Sequence, residues 1–153
     1  MSDSQNIVLF LCTGNYFRSR FSEELFNHWA RRMRLDWRAE SRGLMPDMEA
    51  LKRQNVGRIS RHTLDALAVR GIQPRAAERW PMSVQREELE FARRTIALKE
   101  SEHRPMMALR FPDLVDRVEY WSVDDIDVLP PPRCIEQAEA RLLKLLQELR
   151  ETD

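Results

Sequence analysis

NIVLFLCTGNYFRSR, residues Asn6 to Arg20, places a continuous apolar run directly before a cysteine and continues into a short loop that contains glycine and arginine. An apolar run such as Ile7 to Leu11 is typical of a strand covered on both faces of a parallel sheet. Beyond the loop, apolar residues recur at the spacing of an amphipathic helix, at Phe21, Leu25, Phe26, Trp29 and Met33. The stretch therefore predicts a strand, a loop and a helix, in that order.

The rest of the chain continues this alternation. The predicted segments, in chain order, are a strand in DWRAESRGL (Asp36 to Leu44), a helix capped by Ser60 and ended by Gly71, a helix from Arg86 to Phe91, a strand around Ile96, a strand in DRVEYW, and a closing helix with the apolar stripe Ile135, Ala138, Leu142, Leu146 and Leu149. This order predicts an α/β fold: a single three-layer domain with a four-stranded parallel sheet and helices on both faces. Ligands of such sheets bind at the carboxyl ends of the strands, where Cys12 lies.

Length, charge and cysteine content limit the class of protein. A chain of 153 residues predicts one domain, 1–153, that folds without disulfides or a metal. Lys and Arg total 25, as do Asp and Glu, so the formal net charge of zero gives no reason to expect nucleic acid or a membrane as a partner. Two distant cysteines, Cys12 and Cys134, and the lack of a signal-peptide pattern favour a cytoplasmic protein. We expect no metal site and no cofactor, and the oligomeric state stays open.

The loop after the first strand has the residues of an anion-binding cradle. A cysteine, five residues and an arginine, closed by a helix N-terminus, can direct backbone N–H groups at one tetrahedral oxyanion. We expect Gly14 to adopt the backbone angles that a tight loop requires, and Asn15 is the next most tolerant of left-handed angles. Arg18 would bind two phosphate oxygens at once. The same groups would favour a thiolate at Cys12, which would face the phosphorus as a nucleophile.

Other residues of the loop leave alternatives open. Ser19 could cap the helix, or it could donate its hydroxyl proton to the sulfur and make it a better leaving group. Tyr16 and Phe17 could form an apolar wall beside the phosphate or pack against neighbouring loops. The residues expected to bind the substrate phosphate are Thr13, Gly14, Asn15, Tyr16, Phe17, Arg18 and Ser19.

CTGNYFRS, Cys12 to Ser19, resembles the phosphate-binding loop C-x-G-N-x-x-R-S of the low-molecular-weight protein tyrosine phosphatase family. ESRG (Glu40 to Gly43) is similar to the S-A-G turn of that family, and IALKESEH to its third strand and following helix. The resemblance covers nearly the whole chain. It implies metal-independent hydrolysis of phosphotyrosine or another aryl phosphate through a phosphocysteine. The substrate would be a phosphorylated protein or a small phosphoester, and inorganic phosphate would be a product.

The family also uses an aspartate late in the chain as a general acid, in a W-D-x-x-D-P stretch. This sequence has YWSVDDIDVLPPP, and alignment on Trp121 places Asp125 at the catalytic position, with Ile126 in place of the proline. Such an acid protonates the leaving oxygen, and its carboxylate then activates water. Asp127 is the second candidate and Asp124 the third, and a solvated acidic loop is the alternative interpretation.

Several residues depart from the family pattern. Phe17 stands where many members have a second cysteine, and Arg20 stands where the family has proline. Ile126, Asp127 and Val128 replace the tyrosines that often follow the acid, and the histidine that often follows the Gly-Ile turn has no counterpart. These departures leave the identity of the substrate open.

Two other functions therefore remain as alternatives to phosphatase activity. One is arsenate reduction with an external thiol, on the scaffold that the family shares with thioredoxin-type arsenate reductases. The other is a non-catalytic, regulatory module that binds phosphate.

Overall fold

One four-stranded parallel sheet organises the chain, whose structure, a computed structural model, describes residues 6–152. The strands are β1 (Asn6–Cys12), β2 (Trp37–Gly43), β3 (Arg94–Ala97) and β4 (Glu119–Tyr120), and they lie in the order β2-β1-β3-β4. The predicted fold class is confirmed. Residues 1–5 and 153, which belong to the predicted domain 1–153, lie outside the described residues.

Six helices connect and flank the strands within residues 6–152. They are α1 (Arg18–Met33), α2 (Glu49–Gln54), α3 (Arg61–Val69), α4 (Arg86–Phe91), α5 (Glu100–Arg110) and α6 (Pro131–Thr152). Ser60 caps α3 as predicted, because its hydroxyl accepts a hydrogen bond from the N–H of His62 at 3.1 Å. DRVEYW is shorter as a strand than predicted, since Val115–Arg117 forms a 3₁₀ turn and pairing begins only at Glu119.

The centre of the sheet is β1, which pairs with β2 along its whole length and with β3 from Val8 to Leu11. Val8 and Phe10 pack on one face, against α1 and α6, whereas Leu9 and Leu11 pack on the other, against α4 and α5. Since helices cover both faces, both sets of alternating side chains are buried. This explains why the strand has an uninterrupted apolar sequence and why its carboxyl end lies at the middle of one edge of the sheet.

The last residue of β2 lies against the loop that follows β1. A Cβ atom built on Gly43 would lie 2.9 Å from the carbonyl oxygen of Thr13 and 3.1 Å from the backbone nitrogen of Asn15, and it would also meet the methyl group of Met48. Backbone atoms cannot move aside as a flexible side chain can. Glycine is therefore required here so that the loop can close over the end of β2.

We predict that Gly43→Ala lowers the free energy of unfolding by about 2 kcal/mol, because the new methyl group overpacks against the backbone of the loop. Gly14→Ala is the matched control: its methyl group would meet only the end of the Leu51 side chain, at 3.3 Å. Urea unfolding of both variants checks this. Equal stability of the two variants would contradict the argument.

Candidate active site

The shape of the loop between β1 and α1 depends on the backbone of Asn15, which has a φ of 51°. Asparagine is among the few residues other than glycine that tolerate this left-handed conformation. The expectation that Gly14 adopts such angles is wrong, because the glycines with positive φ in residues 6–152 are Gly57 and Gly71. Gly14 instead lines the cleft above the loop.

The side-chain amide of Asn15 is fully buried and connects the loop to three other segments. Its nitrogen donates to the hydroxyls of Ser19 at 2.9 Å and Ser41 at 3.0 Å. Its oxygen accepts from the guanidinium of Arg79 and from the backbone N–H of Met82, both at 3.0 Å. All the hydrogen-bonding capacity of the amide is used, so the turn of the loop is fixed.

The sulfur of Cys12 lies at the base of this loop, 3.0 Å from the hydroxyl oxygen of Ser19. The hydroxyl oxygen of Ser19 already accepts a hydrogen bond from the side-chain amide of Asn15. The hydroxyl proton of Ser19 can therefore be donated to the sulfur whenever the sulfur is a thiolate. Ser19 does not cap the helix, because α1 begins at Arg18 and the capping position belongs to Phe17. Of the two alternatives for Ser19, capping the helix or contacting the sulfur of Cys12, the structure shows the contact with the sulfur.

Arg18 is only 2% exposed, and its guanidinium is directed into the site by three acceptors. Nη1 donates to the carbonyl of Val123 at 3.0 Å, and Nη2 donates to carboxylate oxygens of Glu102 at 2.9 Å and Asp125 at 3.3 Å. Burial favours the neutral form, but the charges of Cys12, Glu102 and Asp125 outweigh it and raise the pKa of Arg18. The positive charge is therefore permanent.

The three candidate aspartates have different surroundings. Of these three aspartates, Asp125 contacts Arg18 and lines the cleft. Asp124 is bound by the ammonium of Lys99, and its other carboxylate oxygen accepts from Gln137 at 3.1 Å. The hydrogen bond from Lys99 is the main reason why the pKa of Asp124 is lowered. Asp127 is exposed. The position of Asp125 favours it as the acid, and its role stays a prediction.

A cleft of about 460 Å³ opens above the loop. Its floor includes Cys12, Thr13, Gly14 and Arg18, whereas Asn15 and Ser19 lie beneath it, fully buried. Its apolar walls are formed by Tyr16, Phe17, Leu51, Val56 and Ile126. Tyr16 also donates its hydroxyl proton to the carbonyl of Val56 at 2.5 Å, and the Phe17 ring packs edge-on against His62, so both residues line the cleft and contact neighbouring segments.

In the sequence, Arg20 was notable only because the family has proline at this position. In the structure, its side chain connects the loop to other segments around the site. It is 1% exposed and donates to four backbone carbonyls, those of Asn15, Arg58, Ala76 and Arg79, at 2.8–3.3 Å. Burial, with the nearby charge of Arg79 as the second cause, lowers the pKa of Arg20 to about 10. The guanidinium therefore joins the loop to two segments that are distant in sequence.

Arg79 was also missed by the sequence analysis. Besides Asn15, its guanidinium contacts the carboxylate of Glu23 at 3.0 Å and the hydroxyl of Ser41 at 3.1 Å. Ser41 in turn donates to Glu23 at 2.6 Å. Burial raises the pKa of Glu23 despite these partners. The cluster anchors the underside of the loop to α1 and β2.

A second acidic group and a histidine that were not predicted lie beside Arg18. The hydroxyl of Thr13 donates to the carboxylate of Glu102. The backbone N–H of Lys99 donates to Nδ1 of His103 at 3.0 Å, so the proton of the neutral ring is on Nε2, which lies 3.2 Å from the same carboxylate. His103 is fully buried, and burial lowers its pKa.

Within residues 6–152, no group of three or more His, Cys, Asp or Glu side chains is arranged to hold a metal ion. No helix in that range is long and apolar enough to cross a bilayer.

We predict that Arg20→Met lowers the free energy of unfolding by at least about 2 kcal/mol, because buried carbonyls lose their donor. Arg31→Met, on the exposed side of the same helix, serves as the control and should change stability by less than about 0.5 kcal/mol. The measurement is urea unfolding followed by circular dichroism. The structural role of Arg20 is refuted if its variant is as stable as the control.

Comparison with known proteins gives one family and a consistent set of folds. The family model described as "Low molecular weight phosphotyrosine protein phosphatase" matches residues 7–152. A search of curated protein sequences found no match. Among solved structures, a low molecular weight protein tyrosine phosphatase from T. tengcongensis is 25% identical, with a TM-score of 0.73 over 97% of this chain and 99% of that one.

Two further structures share the fold at lower identity. The YwlE arginine phosphatase from Geobacillus stearothermophilus is 22% identical, with a TM-score of 0.72 over 96% of this chain and 94% of that one. A thioredoxin-dependent arsenate reductase from Corynebacterium glutamicum is 19% identical, with a TM-score of 0.69 over 100% of this chain and 66% of that one.

Proposed function

Because the chain belongs to the low molecular weight phosphotyrosine protein phosphatase family, we propose that it hydrolyses aryl phosphates such as phosphotyrosine through a phosphocysteine at Cys12. The observation that carries this proposal is the convergence of three groups on one cleft. The sulfur of Cys12, the buried guanidinium of Arg18 and the carboxyl group of Asp125 all line it. A nucleophile, a cation and an acid are the groups that transfer of a phosphoryl group to sulfur requires.

In the first step, the phosphate group of the substrate binds to the loop and to Arg18. The thiolate of Cys12 attacks phosphorus, an S–P bond forms, and the bond from phosphorus to the leaving oxygen breaks. Asp125, protonated at this stage, gives its proton to that oxygen, so that a neutral alcohol or phenol leaves. Its carboxyl group must first release Arg18, and the 3.3 Å separation of this contact favours such a release.

In the second step, the carboxylate of Asp125 accepts a proton from water, and the water oxygen attacks phosphorus. The S–P bond breaks, and inorganic phosphate and the thiolate are regenerated. A sulfur atom that leaves as an anion needs a hydrogen-bond donor. Ser19, whose oxygen is 3.0 Å from the sulfur, supplies one.

The proposed preference for an aryl substrate rests on the depth and lining of the cleft. Cys12 is 3% exposed, so phosphorus reaches the sulfur only at the end of a leaving group long enough to extend through the cleft. The rings of Tyr16 and Phe17, with Leu51 and Ile126, line the path with apolar surface. An aromatic ring satisfies both conditions, whereas a phosphate on a short aliphatic chain satisfies neither.

An activity panel separates the alternatives to this function. The panel tests phosphoarginine and arsenate beside an aryl phosphate, because two structural neighbours are described as an arginine phosphatase and an arsenate reductase. Arsenate reduction would need an external thiol, because Cys134 is buried and its sulfur lies 3.5 Å from the carbonyl oxygen of Leu129. Since Cys12 and Cys134 are both free thiols, a reducing compartment such as the cytoplasm is also proposed.

We predict that the chain hydrolyses para-nitrophenyl phosphate, that vanadate inhibits it, and that Cys12→Ser lowers turnover at least about a thousandfold while phosphate binding stays measurable. Arg18→Lys should lower turnover by about a hundredfold, because an ammonium cannot make the bidentate contact. Steady-state kinetics and phosphate calorimetry check both variants. Normal turnover by Cys12→Ser would reject covalent catalysis, and phosphate binding by an inactive wild-type chain would indicate the regulatory module.

A second prediction assigns the general acid. Asp125→Asn should lower turnover of phenyl phosphate about a hundredfold, and should affect a substrate with a more acidic leaving group less, because only a basic leaving group needs the proton. Asp127→Asn is the neighbouring control, because its side chain is exposed in the same loop. The assignment fails if the two variants lose activity equally on phenyl phosphate.

A further inference from the structure

Glu102 brings a second carboxylate to the guanidinium of Arg18. It lies in the first turn of α5 and is only about one-third exposed. One of its oxygens, Oε2, is approached by three donors: Nη2 of Arg18 at 2.9 Å, the hydroxyl of Thr13, and Nε2 of His103 at 3.2 Å. The carboxylate is therefore held in place from both the loop and its own helix.

This carboxylate carries a charge that the proposed chemistry does not use. Burial alone would raise the pKa of Glu102, but the hydrogen bonds from His103, Arg18 and Thr13 outweigh it and hold the pKa well below its usual range. Glu102 is thus negative whenever phosphate is bound. It is not among the residues that line the cleft, so we expect it to influence a substrate without touching it, by orienting Arg18 and by its charge.

The two carboxylates on Arg18 are not equivalent. The contact with Glu102 is short, at 2.9 Å, and is supported by two further donors, whereas the contact with Asp125 is longer, at 3.3 Å. Together with the carbonyl of Val123, Glu102 fixes both terminal nitrogens of the guanidinium. Release of Asp125 would therefore leave the orientation of Arg18 unchanged.

We propose that Glu102 is a positioning residue that holds Arg18 in its phosphate-binding orientation and, by its negative charge, weakens the affinity of the loop for phosphate. The proposal rests on the proposed phosphatase function, in which phosphate is a product. A permanent negative charge near a bound dianion raises the free energy of the complex, and a weaker complex releases product faster. Orientation and charge are separate effects, and different substitutions at one position test them.

The experiment compares Glu102→Gln and Glu102→Ala with the wild-type full-length chain. Glu102→Gln keeps an oxygen acceptor for Arg18 but removes the charge, so the dissociation constant of inorganic phosphate, measured by calorimetry, should fall about fivefold. Its kcat for para-nitrophenyl phosphate should stay within about threefold of wild type, because Arg18 is still oriented. Glu102→Ala removes the acceptor, and kcat should fall at least about tenfold.

Glu100→Gln is the matched control, since it removes the same charge from an exposed position in the same turn of α5 and leaves Arg18 untouched. Its phosphate affinity and kcat should equal those of wild type. The inference is overturned if Glu102→Gln binds phosphate no more tightly than Glu100→Gln, or if a folded Glu102→Ala keeps wild-type kcat. If Glu102→Ala does not fold, the comparison of the two glutamine variants still decides the charge effect. Because calorimetry needs no turnover, an inactive chain that binds phosphate would reject the phosphatase proposal and leave the charge effect testable.

Discussion

The buried amide of Asn15 is the interaction on which the architecture of the site depends. It holds a left-handed residue in the middle of a tight loop and is bonded to α1, to β2 and to the segment around Arg79 and Met82. A buried amide with one missing partner would lose the free energy of that hydrogen bond, so the loop conformation and the surrounding fold stabilise each other. The nucleophile occupies its position because this network leaves the loop one conformation.

Local charge, and not the net charge of the chain, defines the chemistry of the site. The formal net charge is zero, yet three arginines lie in or beneath one loop: Arg18, Arg20 and Arg79. Each has a different set of partners: Arg18 has two carboxylates and one backbone carbonyl, Arg20 has backbone carbonyls alone, and Arg79 has the side chains of an amide, a carboxylate and a hydroxyl. One cation is therefore placed for the substrate, whereas the others hold the scaffold that presents it.

The sequence predicted the features that depend on neighbours along the chain. The central strand was predictable because burial on both faces requires an uninterrupted apolar run, and the capped helix α3 because Ser60 and Gly71 act locally. Helix α2 was missed because its six residues bury no side chain, so no apolar period marks it. Glu102 and Arg79 were missed because their partners, Arg18 and Asn15, lie 84 and 64 residues away. Gly14 was assigned the wrong backbone role because either it or Asn15 could adopt the left-handed angle.

The four carbonyl contacts of Arg20 have a consequence for how the cleft meets its ligands. They join the loop to the segments at Arg58 and at Ala76 to Arg79, so the loop side of the cleft is held to its surroundings at four points. We expect adjustment to the shape of a ligand at residues without such anchoring, such as Ile126, which is exposed and lines the cleft. Recognition on the Arg20 side is closer to lock and key than to induced fit, and little conformational entropy is lost there on association.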